Sequence, residues 1–161
     1  MTVRSRIRSW SLAASVGLLA IGFAVSVRAS RASAAEKPAA GPSHQVIACY
    51  FHRTVRCPTC KMISAYIEES VKTGFSSQVK DGSVRIVMID FQDAKNQQYT
   101  RAYGIEGPTL VLMDVRDGKV KAWKPAPKVW SLVGQKDEFF KYVRGEVQRY
   151  LDGNGQQATA Q

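Results

Sequence analysis

Between residues 45 and 151 the apolar positions change period several times, and each change marks an element. Gln45 to His52 (QVIACYFH) is a nearly continuous apolar run of strand length, the pattern of a strand covered on both faces. Arg53 to Arg56 is polar and reads as a loop. From Lys61 to Val71 the residues Met62, Ile63, Tyr66, Ile67 and Val71 recur at three- and four-residue spacing. That spacing puts them on one helix face and leaves Glu68 and Glu69 outside it. The run ends near Thr73-Gly74, Phe75 to Gly82 is expected to be irregular, and Ser83 to Asp90 (SVRIVMID) reads as a second strand. Strand, helix and strand in that order predict a right-handed parallel unit.

Asp93 is suited to cap a short helix through Tyr103, with Tyr99, Ala102 and Tyr103 inward and Gly104 as its stop. Thr109 to Val115 (TLVLMDV) predicts a strand, Asp117-Gly118 a hairpin turn, and Lys119 to Trp123 the antiparallel return. Pro125 and Pro127 then argue against regular pairing. Asp137 and Glu138 open a last helix whose Phe139, Phe140, Val143, Val147, Tyr150 and Leu151 form an apolar face, with Gly153 ending it. The order β-α-β-α-β-β-α predicts an α/β domain over residues 45–152. Its form is a three-layer sandwich, a four-stranded mixed sheet with helices on both faces, and its length is enough to bury one core.

What precedes that domain changes the picture of where it works. Arg4, Arg6 and Arg8 lead into an uncharged, mostly apolar span from Trp10 to Val27, and Ala32-Ser33-Ala34 fits a cleavage site before Ala35. Residues 1–34 therefore read as an export signal. An uncleaved anchor is the competing reading, because the span approaches the length that crosses a bilayer. Ser11, Ser15, Gly17, Gly22 and Ser26 dilute it and favour cleavage. Either way the domain is expected to be exported, periplasmic or anchored at the outer face of the cytoplasmic membrane. Residues 35–44, rich in Ala, Pro and Gly, read as a linker, and residues 153–161 as a disordered tail.

The formal charge of the 161-residue chain is +10, from 23 basic and 13 acidic residues. Five of the basic residues lie in the leader, so without it the balance is 18 against 13, or +5. A nucleic-acid partner loses most of its support. Lys119, Lys121, Lys124 and Lys128 read as a solvated edge, with a partner-docking patch as the alternative. No internal repeat, Gly-rich phosphate loop or dinucleotide fingerprint is present, so no nucleotide cofactor is expected.

The chemistry points to Cys57-Pro58-Thr59-Cys60, between the first strand and the first helix. At a helix N-terminus the first N–H groups lack intrahelical partners and carry partial positive charge, which favours a thiolate over a thiol. Cys57 falls at that terminus, and Cys60, three residues on, shares its face. A bridge this short closes almost no loop, so it is a poor structural staple and a well-placed redox pair. Arg56 and Lys61 flank the pair and are expected to add to thiolate stabilisation at Cys57. Cys49, mid-strand in an apolar run, reads as a buried thiol. His52 ends the strand beside the pair, either as a proton acceptor for Cys60 or as a surface residue without a role. Trp123 and Trp130 read as packing residues.

A metal site is the rival reading, since His52, Cys57 and Cys60 are sound zinc or copper ligands. Cys49 and His52, however, are an odd number of positions apart on a strand and point to opposite faces, which disfavours a closed four-ligand zinc site. A three-ligand site or a two-thiolate copper(I) site stays open. The reading carried forward has no metal and no bound cofactor, only a redox-active Cys57–Cys60 disulfide.

The element order, with C-x-x-C between first strand and first helix, resembles the thioredoxin fold over roughly Gln45 to Leu151. The resemblance implies Cys57 as nucleophile and Cys60 as resolving cysteine, with Pro58 and Thr59 in the active-site turn. It likens Tyr103-Gly104-Ile105-Glu106-Gly107-Pro108-Thr109-Leu110 to the family's later loop, whose proline, here Pro108, is cis and lies against the disulfide. It also implies a buried carboxylate on the first strand, where this chain has Cys49 or Tyr50. More narrowly, Tyr50-Phe51-His52 leading to Arg56-Cys57-Pro58-Thr59-Cys60-Lys61, with Val129-Trp130-Ser131-Leu132 and Phe140-Lys141-Tyr142-Val143, resembles exported thioredoxin-like nitrophenyl compound nitroreductase subunits. That resemblance implies reductive chemistry. Without a flavin signature, the expected partner is a disulfide-bearing protein or a reductase, with a membrane thiol carrier restoring the dithiol. A noncatalytic thioredoxin-like subunit is the further alternative.

Overall fold

A computed structural model describes residues 41–155. The export signal assigned to residues 1–34, linker residues 35–40 and tail residues 156–161 lie outside the described residues. The elements run β1 His44–His52, α1 Pro58–Gly74, α2 Ser76–Asp81, β2 Val84–Asp90, α3 Gln97–Ala102, β3 Thr109–Arg116, β4 Lys119–Pro125 and α4 Lys136–Leu151. The strands form one mixed sheet in the order β2-β1-β3-β4. β1 is parallel to β2 and antiparallel to β3, which is antiparallel to β4. The central positions of β1 and β3 explain their unbroken apolar sequences, since both faces of each are covered.

One face of the sheet packs under α1 and α4, where Val46, Ala48, Tyr50, Leu110 and Leu112 meet Ile63, Ile67, Val71, Phe139, Val143 and Val147. The other face carries Cys49, Phe51, Val111, Met113 and Val115, closed by Ile105 and the partly buried Tyr103 and Trp123. Strand alternation thus sends Tyr50 toward α1 and Cys49 away from it. Arg144 of α4 ties the end of α1 down, donating from Nε to the Ser70 carbonyl at 3.0 Å and from Nη2 to the Thr73 hydroxyl at 2.7 Å.

Several expectations are corrected. Phe75 to Gly82 is not irregular: it contains α2, which stops at Gly82 with φ +82°. Its sequence SSQVKD offers only Val79 to the core, too little for an apolar period. β1 begins at His44, one residue inside the stretch assigned to the linker. Pro125 is the last residue of β4 and pairs with Val111; on an edge strand its missing N–H breaks no ladder. Asp93 does cap, accepting from Lys95 N–H, but it opens a 3₁₀ turn that precedes α3. In α3 itself Tyr99 and Ala102 are exposed and Tyr103 half-buried, so the helix turns less of itself inward than its spacing suggested. Among the described residues no helix is long and apolar enough to cross a membrane.

Candidate functional site

The end of β1 leads directly into the cysteine loop. Cys57 is the N-cap of α1, with extended φ −69° and ψ 162°, and Pro58 takes the first helical position, where a missing N–H costs nothing. The Cys57 sulfur accepts the Cys60 backbone N–H at 3.3 Å, the role an Asp or Ser oxygen usually fills at a cap. Both cysteines are free thiols, and their sulfurs are 3.0 Å apart. Cys57 is exposed and Cys60 buried.

This asymmetry separates their ionisation. The Cys60 S–H, donating to the Cys57 sulfur, holds the Cys57 thiol below its ordinary range, with backbone N–H groups of the first turn assisting. Burial pushes Cys60 the other way, and the adjacent Cys57 sulfur adds to the rise. The accessible thiol is thus eased toward the thiolate while its buried neighbour holds its proton more tightly.

Arg56 behaves differently from its expected role. Its guanidinium turns back along α1, donating from Nη2 to the Cys60 carbonyl at 3.2 Å and to the Ser64 hydroxyl, which itself donates to the Cys60 carbonyl at 3.0 Å. It therefore braces the backbone of Cys60. Lys61 is exposed on the first turn and Thr59 half-buried. Pro108 directly precedes β3, whose Thr109 lies opposite Phe51 of β1, so it borders the same sheet end as the cysteine loop. Its carbonyl accepts the Trp130 indole N–H at 2.8 Å, making Trp130, more than a third exposed, a brace for that loop.

At the end of β1 the His52 Nδ1–H donates to the Arg53 carbonyl at 3.0 Å. Cys49 lies on the opposite sheet face, its thiol pushed by burial up to about 12. Among the described residues no group of three His, Cys, Asp or Glu side chains is disposed to hold a metal ion. What sequence reasoning missed is Ser64 and the meaning of Tyr50. Ser64 is the one polar residue buried one turn after Cys60, and Tyr50 stands on the strand face that alternation turns toward α1.

No family model matches the chain, and no curated protein matches it. Similar solved structures include two thioredoxins. Thioredoxin O2 from Arabidopsis thaliana in the oxidized state is 18% identical with a TM-score of 0.37, over 60% of this chain and 76% of that one. Thioredoxin-2, a component of malaria parasite protein secretion machinery, is 18% identical with a TM-score of 0.35, over 57% of this chain and 84% of that one. At that level the matches carry no argument about chemistry. The architecture is the thioredoxin-like one expected, a four-stranded mixed sheet with α1 and α4 on one face and the chain around Tyr103 and Ile105 closing the other. The narrower likeness to nitroreductase subunits has no counterpart among these matches.

Proposed function

We propose that this chain is an exported thiol–disulfide oxidoreductase. The observation that supports it most directly is the exposed, low-pKa Cys57 capping α1 with its sulfur 3.0 Å from the buried Cys60. The ionised fraction matters: a thiol with pKa near 8.5 is only about 3% thiolate at pH 7, whereas one near 7 is about half. The Cys57 thiolate attacks one sulfur of a substrate disulfide, forming a mixed disulfide and expelling the other sulfur as a thiolate. Cys60, losing its proton, attacks the Cys57 sulfur. The bond to substrate breaks, its electron pair leaves with the substrate sulfur, and that sulfur takes up a proton. Two electrons have moved from the dithiol, which becomes the Cys57–Cys60 disulfide.

Electrons pass in this reading to a partner protein's disulfide or to a reductase. A membrane thiol carrier restores the dithiol outside the cytoplasm, periplasmic or at the membrane's outer face. The leader-like residues 1–34 support export, and the likeness to nitroreductase subunits favours reduction over oxidation. The test is the reduction potential of the pair, from free-thiol counts after equilibration with glutathione or dithiothreitol mixtures. A value near −270 mV, about that of thioredoxin, supports a reductant, and one near about −120 mV a disulfide donor. No reversible two-electron transition would end the proposal.

A further inference from the structure

Tyr50 is wholly buried on β1, on the face that packs against α1, and its hydroxyl has no partner with full hydrogen-bond geometry. Arg56 Nε is likewise buried and unpartnered. Both surround Cys60: the Arg56 guanidinium sits on the Cys60 carbonyl, and the Tyr50 hydroxyl addresses the Cys60 sulfur. A buried hydroxyl without a well-formed bond is costly, so the Tyr50 donor beside the Cys60 sulfur calls for a better acceptor than the resting thiol. In that state Cys60 carries a proton and directs it at Cys57. A thiol sulfur is a weak acceptor. Once Cys60 becomes a thiolate, it turns into a strong one.

We propose that Tyr50 is the positioning residue for the resolving step, its hydroxyl donating to the Cys60 thiolate as that thiolate attacks the mixed disulfide on Cys57. This rests on the dithiol reading above. The contact strengthens when charge reaches Cys60, so it stabilises the reacting state over the resting one, the condition for a rate effect. Tyr50 is not a base. Burial and the neighbouring Cys60 raise its own pKa, the Arg56 cation lowers it in part, and its contact in turn lowers that of Cys60. Besides Cys60, the charges that reach Tyr50 are those of Arg56 and Cys57, and Cys57 also acts on Cys60. The Cys60 proton ends on the departing substrate sulfur, and Tyr50 keeps its own.

The experiment separates the two thiols in time. The purified full-length chain is reduced, and Cys57 is loaded with thionitrobenzoate from its disulfide dimer at low pH, where Cys60 is protonated. A jump to higher pH then lets Cys60 expel the second thionitrobenzoate, whose absorbance gives the resolving rate. Cys49, buried on the other face, stays silent. In Tyr50→Phe, which keeps the ring, resolution is expected to slow roughly tenfold, the usual effect of one donor to a charged group. The midpoint of its pH–rate profile should move up. Loading of Cys57 and thermal stability should not fall, since at rest the hydroxyl removed faces only the weakly accepting Cys60 thiol. A second measurement does not depend on how that variant folds: with ortho-fluorotyrosine in place of tyrosine, the more acidic phenol should move the midpoint down. Equal profiles for wild type and either substituted chain overturn the proposal. If the wild type itself releases no second thionitrobenzoate, the dithiol reading fails first, and the two failures are told apart.

Discussion

Ser64→Ala tests the brace behind Cys60, and its cost can be worked from the contacts. The substitution removes a neutral hydrogen bond to the Cys60 carbonyl, worth about 1 kcal/mol, and one from the Arg56 guanidinium, worth about 1.5–3 kcal/mol for a charged partner. Arg56 is only half-buried and keeps its bond to the Cys60 carbonyl, so the low end, about 1.5 kcal/mol, applies. Alanine returns about 0.5 kcal/mol through its better helix propensity. The net loss is about 2 kcal/mol. For a domain of this size each kcal/mol moves the midpoint by about 4 °C, so the melt of the reduced chain should fall by about 8 °C. A double-mutant cycle with Arg56→Gln isolates the pair: the coupling should be about 1–1.5 kcal/mol. A Ser64→Ala midpoint within about 2 °C of wild type, or strict additivity in the cycle, would refute the assignment of Arg56 to α1 and return it to Cys57.

Two further outcomes follow from the same geometry. Cys60→Ala removes the S–H donor but keeps the backbone N–H at that position, so the pH midpoint for alkylation of Cys57 should move up without reaching that of an unfolded thiol. Because folding lowers the Cys57 pKa, its contribution to stability is fully present above the ordinary thiol range and is lost as pH falls through the folded value. Melts against pH should show that window narrowed in Cys60→Ala. Cys49 has the opposite sign: its thiol is favoured by folding, with a pKa raised from 9.0 to about 12, so stability is lost as pH rises across that interval. The slope from this one group is at most about 1.4 kcal/mol per pH unit, and Cys49→Ala should flatten the alkaline limb while costing a pH-independent amount for its cavity. An unchanged alkaline slope would place the Cys49 thiol in water.

The sequence carried most of the sheet because burial on both faces writes itself as continuous apolar runs, as in β1 and β3, and the Asp117-Gly118 turn fixes the β3–β4 register; both residues have positive φ. It failed where elements are short and polar. α2 leans on a single Val79, and α3 leaves Tyr99 and Ala102 in solvent, so neither has a face that a period could reveal. The same contrast holds within the site. Cys57 and Cys60 are legible because spacing alone sets them on one helical turn, whereas the choice between Cys49 and Tyr50 as the group behind Cys60 is a matter of strand phase. That phase becomes definite only once β1 is paired: Cys49 lies across from Val111 and joins the second cluster, and Tyr50 lies across from Leu110 and joins the core beneath α1. A shift of one residue would exchange them, putting a third thiol behind the Cys57–Cys60 pair and the phenol on the far face. The division of labour between the two sulfurs therefore depends on strand register as much as on the cysteine motif. On the proposed mechanism, mutations that slip β1 against β3 should disturb the resolving step before the attack by Cys57, because Cys57 takes its donors from its own helix and Cys60 would take one from the sheet.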